Sequence, residues 1–423
     1  MTKAAGFLVT IVLARLLVPE MFGLVAMVTV LIGFLNIFAD LGMKNALIQR
    51  RREPVSALRY DSAFWFLSTA GLVMAGLAWL AGVPFMVWFY DEPRLAPIAM
   101  ALAFGLWLAT MGILPRVRLT RVMKFSQIVR ADVIGMLAGA TGAIALALAG
   151  AGVWALVGQS LINGAVTLML LWLAVRWRPR RRFDLQSLRD VVGFSGYMLA
   201  DSVLYYLRKH MDVIIVGKLL GASALGVYTL AFVLTETLRM QLYSVVNKVM
   251  FPAYSRMQDD PAAMKPYYLA TIHYLALITW PISTLLILVA DPLVPALFGD
   301  AWADAVRPVQ ILAAASMVFA LSGTPAEVLK GLGRARLLFW ISMTHTFMIA
   351  LPSVIGGALY FGLEGAAWGV FFQYGVARII YHVVVRQLLG LREIEVFLSL
   401  ALPLSVSACI VWVTYLFSAV LNI

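Results

Sequence analysis

The chain has 423 residues, of which 62% are hydrophobic and only 13% are charged. Soluble domains have roughly 45 to 50% apolar and about 25% charged residues, so this composition excludes a soluble globular protein and a disordered chain. A single cysteine, Cys409, excludes an intrachain disulfide and a cysteine-rich zinc or redox site. The composition therefore predicts an all-α protein that crosses a membrane many times.

The net charge of +12 comes from basic residues that gather in alternate loops. Spread over a soluble surface, this charge would suggest nucleic acid as a partner, but its alternation along an apolar chain is typical of cytoplasmic loops. We therefore expect no nucleic-acid partner and a cytoplasmic N-terminus. The basic clusters are Lys44 to Arg59, Arg116 to Arg130, Arg176 to Arg189 and Lys330 to Arg336.

Thirteen apolar windows follow one another along the chain, each of a length that suits a membrane crossing except the first. The first window, of about 15 residues, is shorter than the roughly 20 that one crossing needs, and we expect a short or truncated helix there. In order, the windows are 4–18, 22–39, 62–82, 96–114, 131–149, 153–175, 191–217, 224–247, 268–289, 306–325, 338–360, 365–385 and 396–420.

An internal repeat relates the two halves of the chain. The offset between matching residues grows from 203 to 214, which loop insertions explain. Each half holds six windows, so the repeats are predicted to be parallel, with a cleft between two lobes that suits alternating access. We assign residues 1–182 to an N-lobe, 183–389 to a C-lobe and 390–423 to an additional span. The matching pairs include Arg15 with Lys218, Gly23 with Gly226, Trp154 with Trp368 and Gln159 with Gln373.

Polar stripes run along several otherwise apolar windows, as expected where a helix faces water or a partner. The seventh window carries Asp201, Tyr205, Arg208, Lys209 and Asp212, and the eighth carries Glu236, Arg239, Tyr243 and Asn247. Other polar residues predicted to line the same cavity are Asn36, Asp40, Lys44, Gln159 and Gln373, with Arg378 on the twelfth window.

The stripes hold more cations than carboxylates. We interpret Arg208, Lys209, Arg239 and Arg378 as a cationic cavity that binds an anionic cargo, for which lipid-linked phosphate or pyrophosphate is the expected chemistry. The carboxylates Asp201, Asp212 and Glu236 are candidates for proton coupling. The alternative is that Asp201 with Arg208, and Glu236 with Arg239, form structural ion pairs between packed helices.

Motifs of catalytic or metal sites are missing from the sequence, and its four histidines lie on separate windows. We therefore predict no catalytic residue, no metal ligand and no cofactor, with H⁺ or Na⁺ as the possible coupling ion.

Several segments resemble the polysaccharide exporters, namely the O-antigen, colanic-acid and exopolysaccharide flippases of the multidrug/oligosaccharidyl-lipid/polysaccharide exporter superfamily. The resemblance implies that the chain translocates undecaprenyl-diphosphate-linked oligosaccharide across the bacterial inner membrane. It also implies membrane lipids, a polysaccharide polymerase and chain-length machinery as partners. The segments are LARLLVPEMFGLVAM from Leu13, FADLGMKNALIQRR from Phe38, GVWALVGQ from Gly152, MFPAYSRM from Met250, LFGDAW from Leu297 and VLKGLGRARL from Val328.

Two other functions remain open at this point. A drug or cation antiporter of the same superfamily would need a cavity rich in carboxylates and aromatic rings rather than surplus cations. A polysaccharide polymerase or ligase would need catalytic groups on an external loop. The longest external loop, about residues 290–305, contains no His, Lys or Arg.

Overall fold

The computed structural model describes residues 2–40, 43, 47, 57–184, 195–322 and 324–421. These ranges are almost entirely helical and contain no strand. A helix satisfies every backbone N–H and C=O within its own segment, which the interior of a bilayer demands of a spanning chain. The predicted all-α class is confirmed.

The described residues before 175 form eight helices. A π-helical turn, Ala78–Gly82, joins the third helix to the fourth and keeps them continuous. The helices are α1 Thr2–Leu16, α2 Pro19–Asp40, α3 Ala57–Leu77, α4 Val83–Tyr90, α5 Leu95–Met111, α6 Ile113–Arg121, α7 Phe125–Leu148 and α8 Trp154–Ala174.

After residue 194 the described part of the chain forms seven helices. The helix that begins at Pro261 has a complete N-cap, because the Asp260 carboxylate accepts hydrogen bonds from the backbone N–H groups of Ala262 and Ala263. The helices are α9 Ser195–Arg256, α10 Pro261–Phe298, α11 Val306–Ser322, α12 Thr324–Gly331, α13 Ala335–His345, α14 Leu351–Leu389 and α15 Glu393–Leu421.

Ten helical stretches of the described residues are long and apolar enough to cross a membrane, so the chain is a multi-pass membrane protein. The longest, Arg336–Leu389, has 54 residues, about 80 Å of helix against a hydrocarbon core of about 30 Å. Positive φ values of 83° at Gly221 and 62° at Gly362 interrupt α9 and α14, which explains why two pairs of apolar windows appear as single stretches. The apolar part of α1, Ala5–Leu16, is shorter than a full crossing. The count of thirteen crossings stays a prediction.

Contacts divide the chain into two compact units, Met1–Gly226 and Val227–Ile423. The division falls within α9, whereas the repeat places the lobe boundary at residue 182. Contact density and sequence repetition are different criteria, so the lobes 1–182 and 183–389, and the additional span 390–423, stay predictions.

Turns with positive φ occur in the same order in both halves of the chain. Asp91, Met123 and Gly150 have φ values of 55°, 57° and 77° in the first half. Their counterparts at Gly299, Gly333 and Gly362 have values of 95°, 69° and 62°. The separations of 208, 210 and 212 residues lie between the offsets of 203 and 214 that the sequence repeat predicts.

A reciprocal close contact joins α2 to α9 within the first unit. A Cβ atom on Gly23 would overlap the carbonyl oxygen of Ala222, and one on Gly226 would overlap the carbonyl oxygen of Pro19. These residues are the repeat's own counterparts, because Pro19 and Ala222, like Gly23 and Gly226, are 203 residues apart. Each glycine thus allows close approach of the α2 and α9 backbones.

Candidate functional site

Exposed cations lie on the first part of α9, inside the apolar stretch Ser202–Glu236. Arg208, Lys209 and Tyr205 are all exposed, and the Arg208 guanidinium lies 6.0 Å from the centre of the Tyr205 ring. Among the described side chains no carboxylate is within ion-pair distance of either cation. The side chain of Asp201, the alternative partner of Arg208, lies outside the described part of the chain.

Asp212 occupies different surroundings from Arg208 although the two share the predicted stripe. Its side chain is buried, and its Oδ1 accepts a hydrogen bond of 2.9 Å from the backbone N–H of Val213. The predicted stripe therefore includes an exposed cation at Arg208 and, one helical turn later, a buried carboxylate at Asp212.

Tyr206, which the stripe omitted, positions this part of α9 against α2. Its hydroxyl donates a hydrogen bond of 2.9 Å to the Val30 carbonyl, and its ring lies 6.3 Å from that of Phe34. The contact fixes the rotation of α9, so that the neighbouring Tyr205 faces away from α2 and is exposed. The sequence signal that could have identified Tyr206 is its position next to Tyr205 in the predicted polar stripe.

Glu236 and Arg239 form an ion pair in the interior of the second unit, with side-chain exposures of 4% and 1%. The Ser316 hydroxyl lies 3.4 Å from Glu236 Oε1 and donates to it. This is the arrangement of the structural-pair alternative. In this conformation Arg239 has no surface with which to contact a cargo.

Aromatic rings enclose the Arg239 guanidinium. Its Cζ lies 3.6 Å from the centre of the Phe319 ring and 5.3 Å from that of Tyr374. Phe319 also packs on Tyr243 and Tyr374, with ring centres 5.2 and 4.8 Å apart. Phe319, Tyr374 and Ser316 were not predicted from the sequence, because their apolar helices α11 and α14 carry no sequence signal for the neighbour they pack against.

The other predicted residues of the second unit lie on the helices around this pair. Arg378 is half-buried, and its neighbours include the buried Tyr268 side chain. Gln373 is buried, and its backbone carbonyl lies 2.9 Å from His345 Nε2. Asn247 is half-buried on α9. Arg378 and Arg239 are thus both placed on the interior side of this unit.

The remaining predicted residues belong to the first unit. Asn36 is exposed on α2 and Gln159 is half-buried on α8. Lys44 and the side chain of Asp40 lie outside the described residues. The structure therefore shows two groups, exposed cations around Arg208 and a buried pair at Arg239, and their union in one cavity stays a prediction.

Comparison with known proteins agrees with the fold and indicates a family. A family model described as "Polysaccharide biosynthesis protein" matches residues 12–307. The lipopolysaccharide biosynthesis protein WzxC of Escherichia coli (strain K12) is 26% identical over 424 aligned residues, which cover 99% of this chain and 85% of WzxC.

Two solved structures share the architecture. An inward-facing multidrug resistance transporter of the MATE family and MOP superfamily aligns with a TM-score of 0.73 at 15% identity, over 92% of this chain and 95% of its own. The lipid II flippase MurJ, in an inward closed conformation, aligns with a TM-score of 0.70 at 10% identity, over 100% of this chain and 98% of its own. At these identities the likeness shows a common all-helical transporter fold.

Proposed function

Because the chain belongs to the polysaccharide biosynthesis protein family, whose model matches residues 12–307, we propose that it is a flippase for lipid-linked oligosaccharide. The cargo would be an undecaprenyl-diphosphate-linked repeat unit destined for a surface polysaccharide. Its relative WzxC bears the name of a lipopolysaccharide biosynthesis protein, and MurJ, which shares the fold, that of a lipid II flippase. In this proposal the protein is a transporter and not an enzyme.

The exposed cations Arg208 and Lys209 carry the proposal on the structural side. A cation at the centre of a spanning helix costs about 2.5 to 3.5 kcal/mol on insertion scales, so it faces water or an anion. A guanidinium offers a planar fork that matches two phosphate oxygens, and an adjacent ammonium adds a second charge. A diphosphate linker is the part of the proposed cargo that such a pair recognises.

Arg239 and Arg378 have a second role in the proposal. Since Arg239 is paired with Glu236 in the interior, it reaches the diphosphate only after that pair opens. Transport by alternating access between two six-helix lobes supplies a second conformation in which the pair can open. The chain would then hold its cargo with different cations in different conformations.

Energy coupling is part of the same proposal. The candidate ion is H⁺, with Na⁺ as the alternative, and the candidate carboxylates are Asp201, Asp212 and Glu236. Glu236 is the first choice because it touches Arg239 directly: its protonation would release the guanidinium, and its deprotonation would recapture it.

The proposed location is the bacterial inner membrane, with the N-terminus and the basic loops in the cytoplasm. The placement of arginines around residues 116–121 and 176–182 supports this orientation. A cysteine at residue 180 that an impermeant thiol reagent labels in intact cells would contradict it. A polysaccharide polymerase and chain-length proteins are the proposed partners downstream.

The drug or cation antiporter is the second candidate, because the MATE transporter shares the fold. The family match and the surplus of exposed cations on α9 favour an anionic cargo instead. A polymerase or ligase ranks below both, since the two solved structures that share the fold are a transporter and a flippase.

Replacement of Arg208 or Lys209 by Gln is the direct test. One lost charge-assisted hydrogen bond is worth about 1.5 to 3 kcal/mol, so we expect flipping of a labelled lipid-linked oligosaccharide in proteoliposomes to fall about tenfold or more. Arg208→Lys should restore part of the rate, because it returns the charge without the fork.

The matched control is Lys218→Gln, which removes another exposed cation of α9 that lies 5.3 Å from the Phe89 ring. We expect it to keep the parent rate. Equal losses of flipping rate in Arg208→Gln, Lys209→Gln and Lys218→Gln would contradict a specific role of Arg208 and Lys209. Loss of protein from the membrane in proportion to the loss of activity would contradict it as well.

A further inference from the structure

An open apolar groove of about 460 Å³ lies between α5 and α8, away from the polar stripes. Its walls consist of apolar side chains at one end of these helices, and Arg178 is the one charged residue of its lining. Such a wall offers nothing to a polar solute but fits a hydrocarbon chain. The apolar lining residues are Leu108, Met111, Ala165, Leu168, Met169 and Trp172.

The segment after α8 carries five exposed arginines, of which Arg178 lines this groove, and we name residues 176–184 the basic strap. The strap contains neither helix nor strand and begins two residues after α8 ends at Ala174. The strap contains five arginines and one acidic residue, Asp184 at its end, so its formal charge is +4. The arginines are Arg176, Arg178, Arg180, Arg181 and Arg182.

Contacts with α3 hold the basic strap in place. The backbone N–H of Arg180 donates to Asp61 Oδ1 at 3.2 Å, and Trp65 Nε1 donates to the Arg180 carbonyl at 2.9 Å. The backbone N–H of Asp184 donates to the Ser62 hydroxyl oxygen at 2.9 Å. These bonds use strap backbone groups, and the five arginine side chains remain exposed.

Arg178 joins the strap to the groove. Its guanidinium lies 5.7 Å from the centre of the Trp172 ring, and its Nη1 donates to the Trp172 carbonyl at 3.0 Å. Trp172 in turn stacks on Trp177, with ring centres 5.8 Å apart. One edge of the guanidinium is thus anchored on the end of α8, and Nε and Nη2 remain for an anion at the mouth of the groove.

We propose that the groove and the basic strap together bind one anionic phospholipid of the surrounding bilayer. An acyl chain lies against the apolar wall, and the phosphate of the headgroup meets Arg178. From Ala165 to Trp172 the wall rises about 10 Å, within one leaflet of a hydrocarbon core about 30 Å thick. Basic clusters next to the end of a spanning helix attract anionic headgroups, which supplies the charge complementarity.

The proposed lipid site does not involve the transported cargo. The site uses α3, α5, α8 and the strap, whereas the proposed cargo site uses α9 and the helices of the second unit. Under the proposed orientation the site faces the cytoplasmic leaflet. The bound lipid would add to the contact that Arg178 already makes between the strap and α8.

Lipid titration of the full-length purified protein, followed by native mass spectrometry, tests the proposal with phosphatidylglycerol and phosphatidylcholine as probes. We expect one phosphatidylglycerol to bind at least about fivefold more tightly than phosphatidylcholine. Arg178→Gln should remove most of this preference, and Arg178→Lys should keep part of it. Ala165→Trp, which fills the groove, should weaken both lipids.

The control is Arg307→Gln, an exposed arginine on α11 outside the strap, which should bind as the parent does. Equal binding of the two lipids, or no effect of Ala165→Trp, would overturn the proposal. Competition by glycerol phosphate at the same concentration would show a site for free phosphate instead. Displacement by undecaprenyl phosphate at tenfold lower concentration would assign the groove to the cargo, also against the proposal.

Discussion

The guanidinium of Arg239 meets a carboxylate one helical turn away and lies over the face of Phe319, with almost no exposed surface. The i,i+3 spacing of Glu236 and Arg239 was enough to predict that they could pair. Burial was not predictable from the spacing, because it depends on α11 and α14, which supply Ser316, Phe319 and Tyr374. Arg208, with the same charge on the same helix, is exposed, and the Tyr205 ring beside it is itself exposed.

Breaking the buried pair should destabilise the protein, whereas neutralising both partners should cost much less. Removal of one partner leaves an uncompensated buried charge, which costs about 3 to 5 kcal/mol. We therefore expect Glu236→Gln and Arg239→Gln to lower the thermal unfolding temperature in detergent. The double variant should recover most of the loss.

Arg208→Gln is the matched control for this prediction, since it removes an exposed guanidinium from the same helix. It should unfold at the parent temperature. A double variant as unstable as the sum of the single variants would show that the two side chains act independently, against the ion pair.

Helix α9 illustrates which features of an element the sequence predicts. Its apolar windows predicted both helical parts, but the chain passes from one to the other without a polar loop. The break at Gly221 depends on a positive φ that glycine adopts without strain. Gly217 and Gly226, also in α9, keep ordinary helical geometry, so the residue type alone does not reveal which glycine interrupts the helix.

Gly23 and Gly226 have a packing role, whereas the sequence repeat showed only that both equivalent positions are glycine. Each lets its helix approach a backbone carbonyl of the other, at Ala222 and Pro19. Close approach of backbones through small residues is a common means of packing spanning helices. The two positions are therefore predicted to respond alike to substitution.

Gly226→Ala and Gly23→Ala should each lower the unfolding temperature. The new Cβ overlaps backbone rather than a flexible side chain, so the helices must separate, at a cost of about 1 to 3 kcal/mol. Gly164→Ala, in α8 with no atom within 4 Å of the added Cβ, should be neutral or stabilising because alanine favours helix. Loss of stability in the Gly164 variant but not in the other two would contradict this packing.

At the scale of the whole molecule, composition and the positions of apolar windows predicted the all-helical multi-pass fold, and the comparisons confirm it. Hydropathy works here because a bilayer leaves a spanning chain few alternatives to helix. The site was less predictable. Stripes show which face of a helix is polar, but they do not show whether that face meets water, cargo or another helix. Arg208 and Arg239 received the same interpretation and have opposite surroundings.

The Glu236–Arg239 pair gives the proposed energy coupling a defined place in the molecule. If protonation of Glu236 opens the pair, the released guanidinium is available to the cargo, and the conformation that exposes it is favoured by a proton gradient. The alternative is passive flipping driven by removal of the product, with Glu236 serving only to neutralise Arg239. The two differ in whether an imposed gradient changes the rate.

Flipping of a labelled lipid-linked oligosaccharide in proteoliposomes should accelerate under an imposed pH gradient in the parent protein. Glu236→Gln should flip at a rate that the gradient does not change, because the glutamine cannot exchange a proton. Glu364→Gln, which removes an exposed carboxylate near the break in α14, should keep the dependence. Since Glu236→Gln is also expected to lower stability, its rate with the gradient is compared with its own rate without it, at a temperature where the variant is folded. Equal rates for the parent protein with and without the gradient would reject proton coupling, while the cation contacts of Arg208 and Lys209 would still account for recognition of the diphosphate.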